Sequence, residues 1–192
     1  MKYLSRQFKQ ILLIIHLLFF TGAVLAQTQT GKDTREFKTF SKIATRAGVG
    51  FNLPDGFSEL PVRTESKAYD YGMAIPGQDF EIWFKITPQT NAAPDSLYLE
   101  IGKTQAKQLA GDNTILIRNM STRVLAEYNA DAGKTYFVSL PDTRHYKYAL
   151  LITLEKNHKS IITALCLTND KGPDFFQNIN RARNCIKFKE GA

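Results

Sequence analysis

The chain has 192 residues, 25 Lys and Arg against 18 Asp and Glu for a formal net charge of +7, and 43% hydrophobic residues. That length fits one domain with a sizeable core, and no basic run is interleaved with aromatics, so no nucleic-acid partner is expected. The 2 cysteines and 3 histidines are scattered without the spacing of a zinc site, and no metal is expected.

At the amino terminus, Lys2, Arg6 and Lys9 precede an apolar run at 11–20 and small residues through Val24 and Ala26. This order predicts a signal peptide over 1–26, removed on export to the periplasm or beyond. A helix over 11–26 would cover only about 24 Å at 1.5 Å per residue, short of a ~30 Å bilayer core, so no integral span is expected after cleavage. Residues 27–38 are polar and without period, a flexible lead-in to a single globular domain over 39–192.

Residues 39–47 are open to either a helix or an extended start. A strand over 49–53 is stopped by Pro54-Asp55-Gly56, where proline presets the turn. Two strands, 69–75 and 80–86, flank Pro76-Gly77-Gln78 as a hairpin. The second alternates, with Phe80, Ile82, Phe84 and Ile86 on one face and Glu81, Trp83 and Lys85 on the other. Aromatics on an otherwise polar strand face can anchor a partner, which makes Tyr69, Tyr71 and Trp83 candidate binding residues. The plainer alternative is that Trp83 packs beneath a helix or loop.

A helix is predicted over 97–110, with Leu97, Ile101 and Leu109 as its apolar stripe and Gly102 weakening it by about 1 kcal/mol. Residues 114–121 and 123–128 read as short strands, the second joined through Asn129, Asp131 and Gly133 to a strand at 135–140. A long strand over 146–155 turns at Asn157-His158 into 160–168. Both arms of that hairpin are apolar on both faces, as suits the middle of a covered sheet. Asp170 to Pro173 then opens a helix whose core face is Phe175, Phe176, Ile179 and Ala182, and residues 185–189 form a last strand. The fold class is therefore α+β, a mainly antiparallel sheet with helices packed on its faces.

The stretches "GVGFNLPDGF", "YKYALLITLEKNHKSIITALCLT" and "FFQNINRARNCIKFK" together resemble the layout of PsbP-like proteins over residues 48–189. Those are α/β/α sandwich domains. The resemblance implies a non-catalytic accessory or binding protein, without naming a partner or a functional residue.

Gly133-Lys134-Thr135 imitates the end of a phosphate-binding loop. The first glycine of that motif is replaced by Tyr128, and the residues after it are strand formers rather than the start of a helix. Gly102-Lys103-Thr104 fails the same way at Leu97, so no nucleotide is expected. A calcium loop would need an acid where Leu140 stands. Asn129 and Asp131 are instead expected to bond nearby backbone N–H groups, and Gly133 to take the strained angle of a hairpin loop.

His145, at a strand start, completes the candidate binding set. His158 is expected at a solvated turn tip, and Arg181, Arg183, Lys187 and Lys189 on a solvated face. Asp95, Glu100, Asp112 and Glu127 are scattered acids without any pairing that sequence can show, expected at surface and cap positions. No catalytic residue and no cofactor are assigned. Cys166 and Cys185 end a strand, helix, strand unit and are either a disulfide, worth about 3 kcal/mol on the chain-entropy model, or two buried thiols.

These readings point to an exported, non-enzymatic binding or assembly-accessory protein of the cell envelope, acting on an unknown protein or small ligand. One rival is a secreted hydrolase whose serine or cysteine and acid meet His145 in space. Another is a small-molecule or lipid carrier, which needs an apolar cavity between sheet and helix.

Overall fold

The computed structural model describes residues 34–62, 68–90, 93–156 and 159–191. The predicted signal peptide, most of the lead-in and His158 with its turn lie outside those residues.

Helix α1 (Arg35–Arg46) begins where the Thr34 hydroxyl accepts the N–H of Phe37 at 3.1 Å, satisfying one of the donors that a helix start leaves unpaired. Residues 39–47, open to two readings in sequence, are thus helical up to Arg46. The helix also takes in 35–38, which were expected in the lead-in, because the cap and the packing of Phe37 on Phe51 hold that first turn.

Strand β1 (Val49–Phe51) follows, then β2 (Ser58–Leu60), β3 (Tyr71–Ala74) and β4 (Phe80–Pro88). The Pro54 turn closes with Phe57 N–H on the Pro54 carbonyl, and Gly56 takes φ 80°, which a side chain would resist. Helix α2 (Leu97–Ala110), strand β5 (Ile115–Asn119), helix α3 (Thr122–Tyr128) and strands β6 (Ala132–Ser139), β7 (Tyr148–Lys156) and β8 (Ser160–Thr168) come next. Helix α4 (Pro173–Ala182) and β9 (Ile186–Phe188) complete the order.

Seven strands form one antiparallel sheet in the order β2-β3-β4-β8-β7-β6-β5, and β1 pairs with β9 in a separate two-stranded ribbon. The apolar hairpin β7–β8 sits inside the sheet between β6 and β4, where both its faces are covered. Register sorts the side chains by face. Phe84, Ala164 and Ile152 are aligned across β4, β8 and β7 on the first face. Trp83, Leu165, Leu151 and Tyr136 are aligned from β4 to β6 on the second.

The first face carries the larger core, closed by α1, α3, α4 and the β1–β9 ribbon. The second carries a smaller core beneath α2 alone. Helices on both faces make an α/β/α sandwich, the α+β class predicted.

Three local expectations are corrected, and one left open between two readings is decided. Residues 122–128 are a helix rather than a strand. Ser121 caps it by accepting the N–H of Val124, and Leu125, Ala126 and Glu127 are good helix formers. That helix ends at Asn129 in the left-handed region, φ 51°, with Ala130 N–H on the Leu125 carbonyl.

The strained angle therefore belongs to Asn129. Gly133 lies inside β6, where a Cβ would stand 2.8 Å from Met120 Sδ and 3.0 Å from both Leu154 Cδ2 and the Thr153 carbonyl. The Asn129 side chain reaches to the end of the last strand rather than capping a local N–H group. Asn129 Nδ2 donates to the carbonyls of Phe188 and Lys189, and Asp131 pairs with Lys156 at 3.0 Å.

The buried stripe of α2 is Gly102, Ala106 and Ala110, with Leu97, Ile101 and Leu109 at its margins. A Cβ on Gly102 would sit 2.5 Å from the Tyr136 ring, so small residues bring the helix onto the sheet.

Lastly, Cys166 on β8 and Cys185 before β9 are two buried free thiols. They do not lie on adjacent strands, because β9 leaves the main sheet to pair with β1. Burial pushes the Cys166 thiol from 9.0 up to about 12, and Cys185 is pushed up as well, by burial and by Cys166 nearby.

Candidate functional site

On the second face, α2 packs over β6 and β7 rather than over β3 and β4. Leu60 is aligned with Gly72 and Gly72 with Trp83, which extends the row of Leu165 and Tyr136 to that end. A cleft of about 600 Å³ opens there, floored by Leu60, Trp83, Leu165 and Leu167 and walled by Leu109 of α2. That volume is in the range of small-molecule sites.

Gly72 seats the indole. A Cβ on it would stand 2.4 Å from Trp83 Cζ3, so the ring lies flat over the glycine. Trp83 is mostly buried yet lines the cleft. Its Nε1 donates to Glu81 Oε2 at 2.9 Å, two residues back on the same face.

The loop after β6 supplies the opposite wall. Leu140 N–H on the Lys147 carbonyl at 2.8 Å and Arg144 N–H on the Pro141 carbonyl at 2.9 Å close it. Asn169 fastens it to the β3–β4 turn, accepting from Lys147 N–H and donating to Asp79. These bonds place Thr143, Arg144, His145 and Tyr146 along the rim.

The His145 ring meets Tyr146 edge-on at 4.7 Å. Burial, together with the neighbouring Glu81 carboxylate, raises the Tyr146 phenol well above the ordinary value. Tyr69, tilted against Trp83 at 6.4 Å, is pushed from 10.0 up to about 12 by burial, partly offset by the Arg144 guanidinium.

Of the residues chosen from sequence, Tyr69, Trp83 and His145 converge on this cleft. Tyr71 does not join them. Its pairing with Phe84 turns it to the first face, where it is fully buried and stacks on Phe40 at 4.9 Å. Tyr69 escapes that alternation because it precedes β3, whose first paired residue is Tyr71. Glu81, Arg144 and Tyr146 were missed. The alternation of Glu81 with Trp83 was visible in sequence, whereas the approach of the 141–147 loop depended on long-range contacts.

Chemically, the cleft is an apolar and aromatic surface whose lining also includes the Glu81 carboxylate and the Arg144 guanidinium. Among the described residues, the lining includes no serine or cysteine, and the thiols face the opposite side of the sheet. Among those residues, the exposed Thr143 hydroxyl is the nucleophile brought near His145 at the rim. Among the described residues, no three His, Cys, Asp or Glu side chains are grouped to hold a metal, and no helix is long and apolar enough to cross a membrane.

No protein-family model matches the sequence, and no curated protein matches it. Among solved structures, the chain is similar to the solution structure of cyanobacterial PsbP (CyanoP) from Synechocystis sp. PCC 6803. The two share 15% identity over 75% of this chain and 88% of that one, with a TM-score of 0.47.

Proposed function

We propose that this chain is a non-enzymatic binding protein that holds a mainly apolar small molecule against the second face of its sheet. The observation that carries this reading is the cleft of about 600 Å³ where Tyr69, Trp83 and His145, far apart in sequence, converge on a floor of leucines. An aromatic and aliphatic lining with few polar groups suits burial of an apolar body, and the polar rim suits its orientation. The amino-terminal pattern supports export, so the ligand is one met in the periplasm or outside the cell.

Titration of the full chain with an uncharged fluorescent phenylnaphthylamine tests the reading. One equivalent should bind saturably with enhanced emission, and Leu109→Gln on the cleft wall should weaken it severalfold without altering the melt. Emission that never saturates, or that is unchanged in the variant, would withdraw the cleft as a ligand site.

A further inference from the structure

The two charges at the cleft are in different states. Glu81 already accepts from Trp83 Nε1 at 2.9 Å. That bond occupies one carboxylate oxygen and orients the indole. Arg144 stands exposed at the rim, and no ion pair is recorded for it among the described residues. Arg144 and Tyr69 both line the cleft, and the Arg144 charge holds the Tyr69 phenol lower than burial alone would. The cleft therefore offers a guanidinium and a phenol donor beside an apolar floor.

We infer that the ligand is an anionic amphiphile, a single carboxylate or comparable anionic head on an apolar tail. Its head lies on Arg144 and the Tyr69 hydroxyl and its tail over Leu60, Trp83 and Leu165. This rests on the cleft being the ligand site, as proposed above. Guanidinium matches a carboxylate through two parallel hydrogen bonds, a geometry an ammonium would not reproduce. The leucine floor accounts for the tail by burial of apolar area. A cationic head is disfavoured by Arg144 at the entrance and by the prior engagement of Glu81.

The test compares three monomeric ligands of one chain length, dodecanoate, dodecanol and dodecyltrimethylammonium, by calorimetry on the full chain and on Arg144→Gln. Arg144 is exposed, so this variant should melt as the parent does. Dodecanoate should bind roughly tenfold or more tighter than dodecanol, a difference of about 1.4 kcal/mol or more, and Arg144→Gln should erase most of that advantage while leaving dodecanol unchanged.

Equal affinity for the acid and the alcohol would overturn the anionic head and leave the cleft as an apolar site. Tighter binding of the ammonium would overturn it in favour of Glu81 and the aromatic rings. Failure of all three ligands to bind would overturn both the head-group assignment and the cleft reading.

Discussion

Phe84 points into a layer of rings where Phe40 lies at 6.2 Å and Phe51 at 5.6 Å, whereas Trp83, one residue earlier on the same strand, faces a cleft of about 600 Å³. The pocket on the first face, lined by Ile82, Phe84 and Cys166, has a volume of only about 30 Å³. Strand β4 contributes large apolar side chains to both faces, so composition does not separate them. What differs is the cover. The first face has α1, α3, α4 and a two-stranded ribbon, and the second has α2, which packs over β6 and β7 rather than over β3 and β4. The cleft lies where that helix does not reach, over an apolar floor.

The largest break in this comparison is Phe40→Ala, which removes a fully buried ring from the first face. It should cost about 3–5 kcal/mol in chemical denaturation, with ligand affinity at the cleft retained in the folded fraction. A cost below about 1 kcal/mol would mean that the first face does not carry the closely packed core.

Next come the close approaches made by glycine. Gly102→Ala gains about 1 kcal/mol of helix propensity but drives a methyl into the Tyr136 ring at 2.5 Å. Overpacking costs about 1–3 kcal/mol, so the net change should be destabilising. Gly133→Ala should lose about 1–3 kcal/mol for the same reason, against Met120, Leu154 and the Thr153 carbonyl. Stabilisation by Gly102→Ala in urea melts would show that α2 rides higher on the sheet than described.

Alkaline titration separates the faces by a smaller effect. The Cys166 thiol is raised from 9.0 to about 12 by burial. In the unfolded chain it ionises first, so the native state holds more protons above about pH 9. The stability contributed by this group is fully present below that pH and is lost as pH rises through about 12. Cys166→Ala should flatten this part of the alkaline slope in urea midpoints. Tyr69 acts in the same direction over the narrower window from 10.0 to about 12. An unchanged slope in the cysteine variant would contradict the sealed character of the first face.

The smallest effect on stability belongs to Tyr69→Phe at the cleft, which removes only the hydroxyl and keeps the ring against Trp83. It should shift stability by no more than about 1 kcal/mol while weakening dodecanoate severalfold, measured by calorimetry. A large loss of stability with unchanged affinity would make the Tyr69 hydroxyl a structural group of the second face.

Much of the sheet was legible in the sequence, and for a physical reason. Period-two alternation from Phe80 to Ile86 fixes which side chains share a face, and continuous apolar runs at 148–156 and 160–168 mark a hairpin covered on both sides. Helix α3 was not legible, because a seven-residue segment carries little periodic signal. Its cap at Ser121 and its left-handed end at Asn129 were the cues that distinguished it from a strand. Tyr71 was misassigned because the register of β3 against β4 decides its face, and Tyr69 lies before that register begins. Arg144 and Tyr146 reach Trp83 only when the 141–147 loop is fastened through Asn169 to Asp79, a long-range arrangement that local pattern does not encode.

Trp83 is the sole tryptophan of the chain, so its emission reports on the cleft alone. Titrating the full chain with monomeric dodecanoate while recording that emission is the most direct test of a ligand site on the second face. The expected result is a saturable change complete at one equivalent, with the same affinity by calorimetry. Binding seen by calorimetry with Trp83 emission unmoved, or no binding by either method, would contradict it.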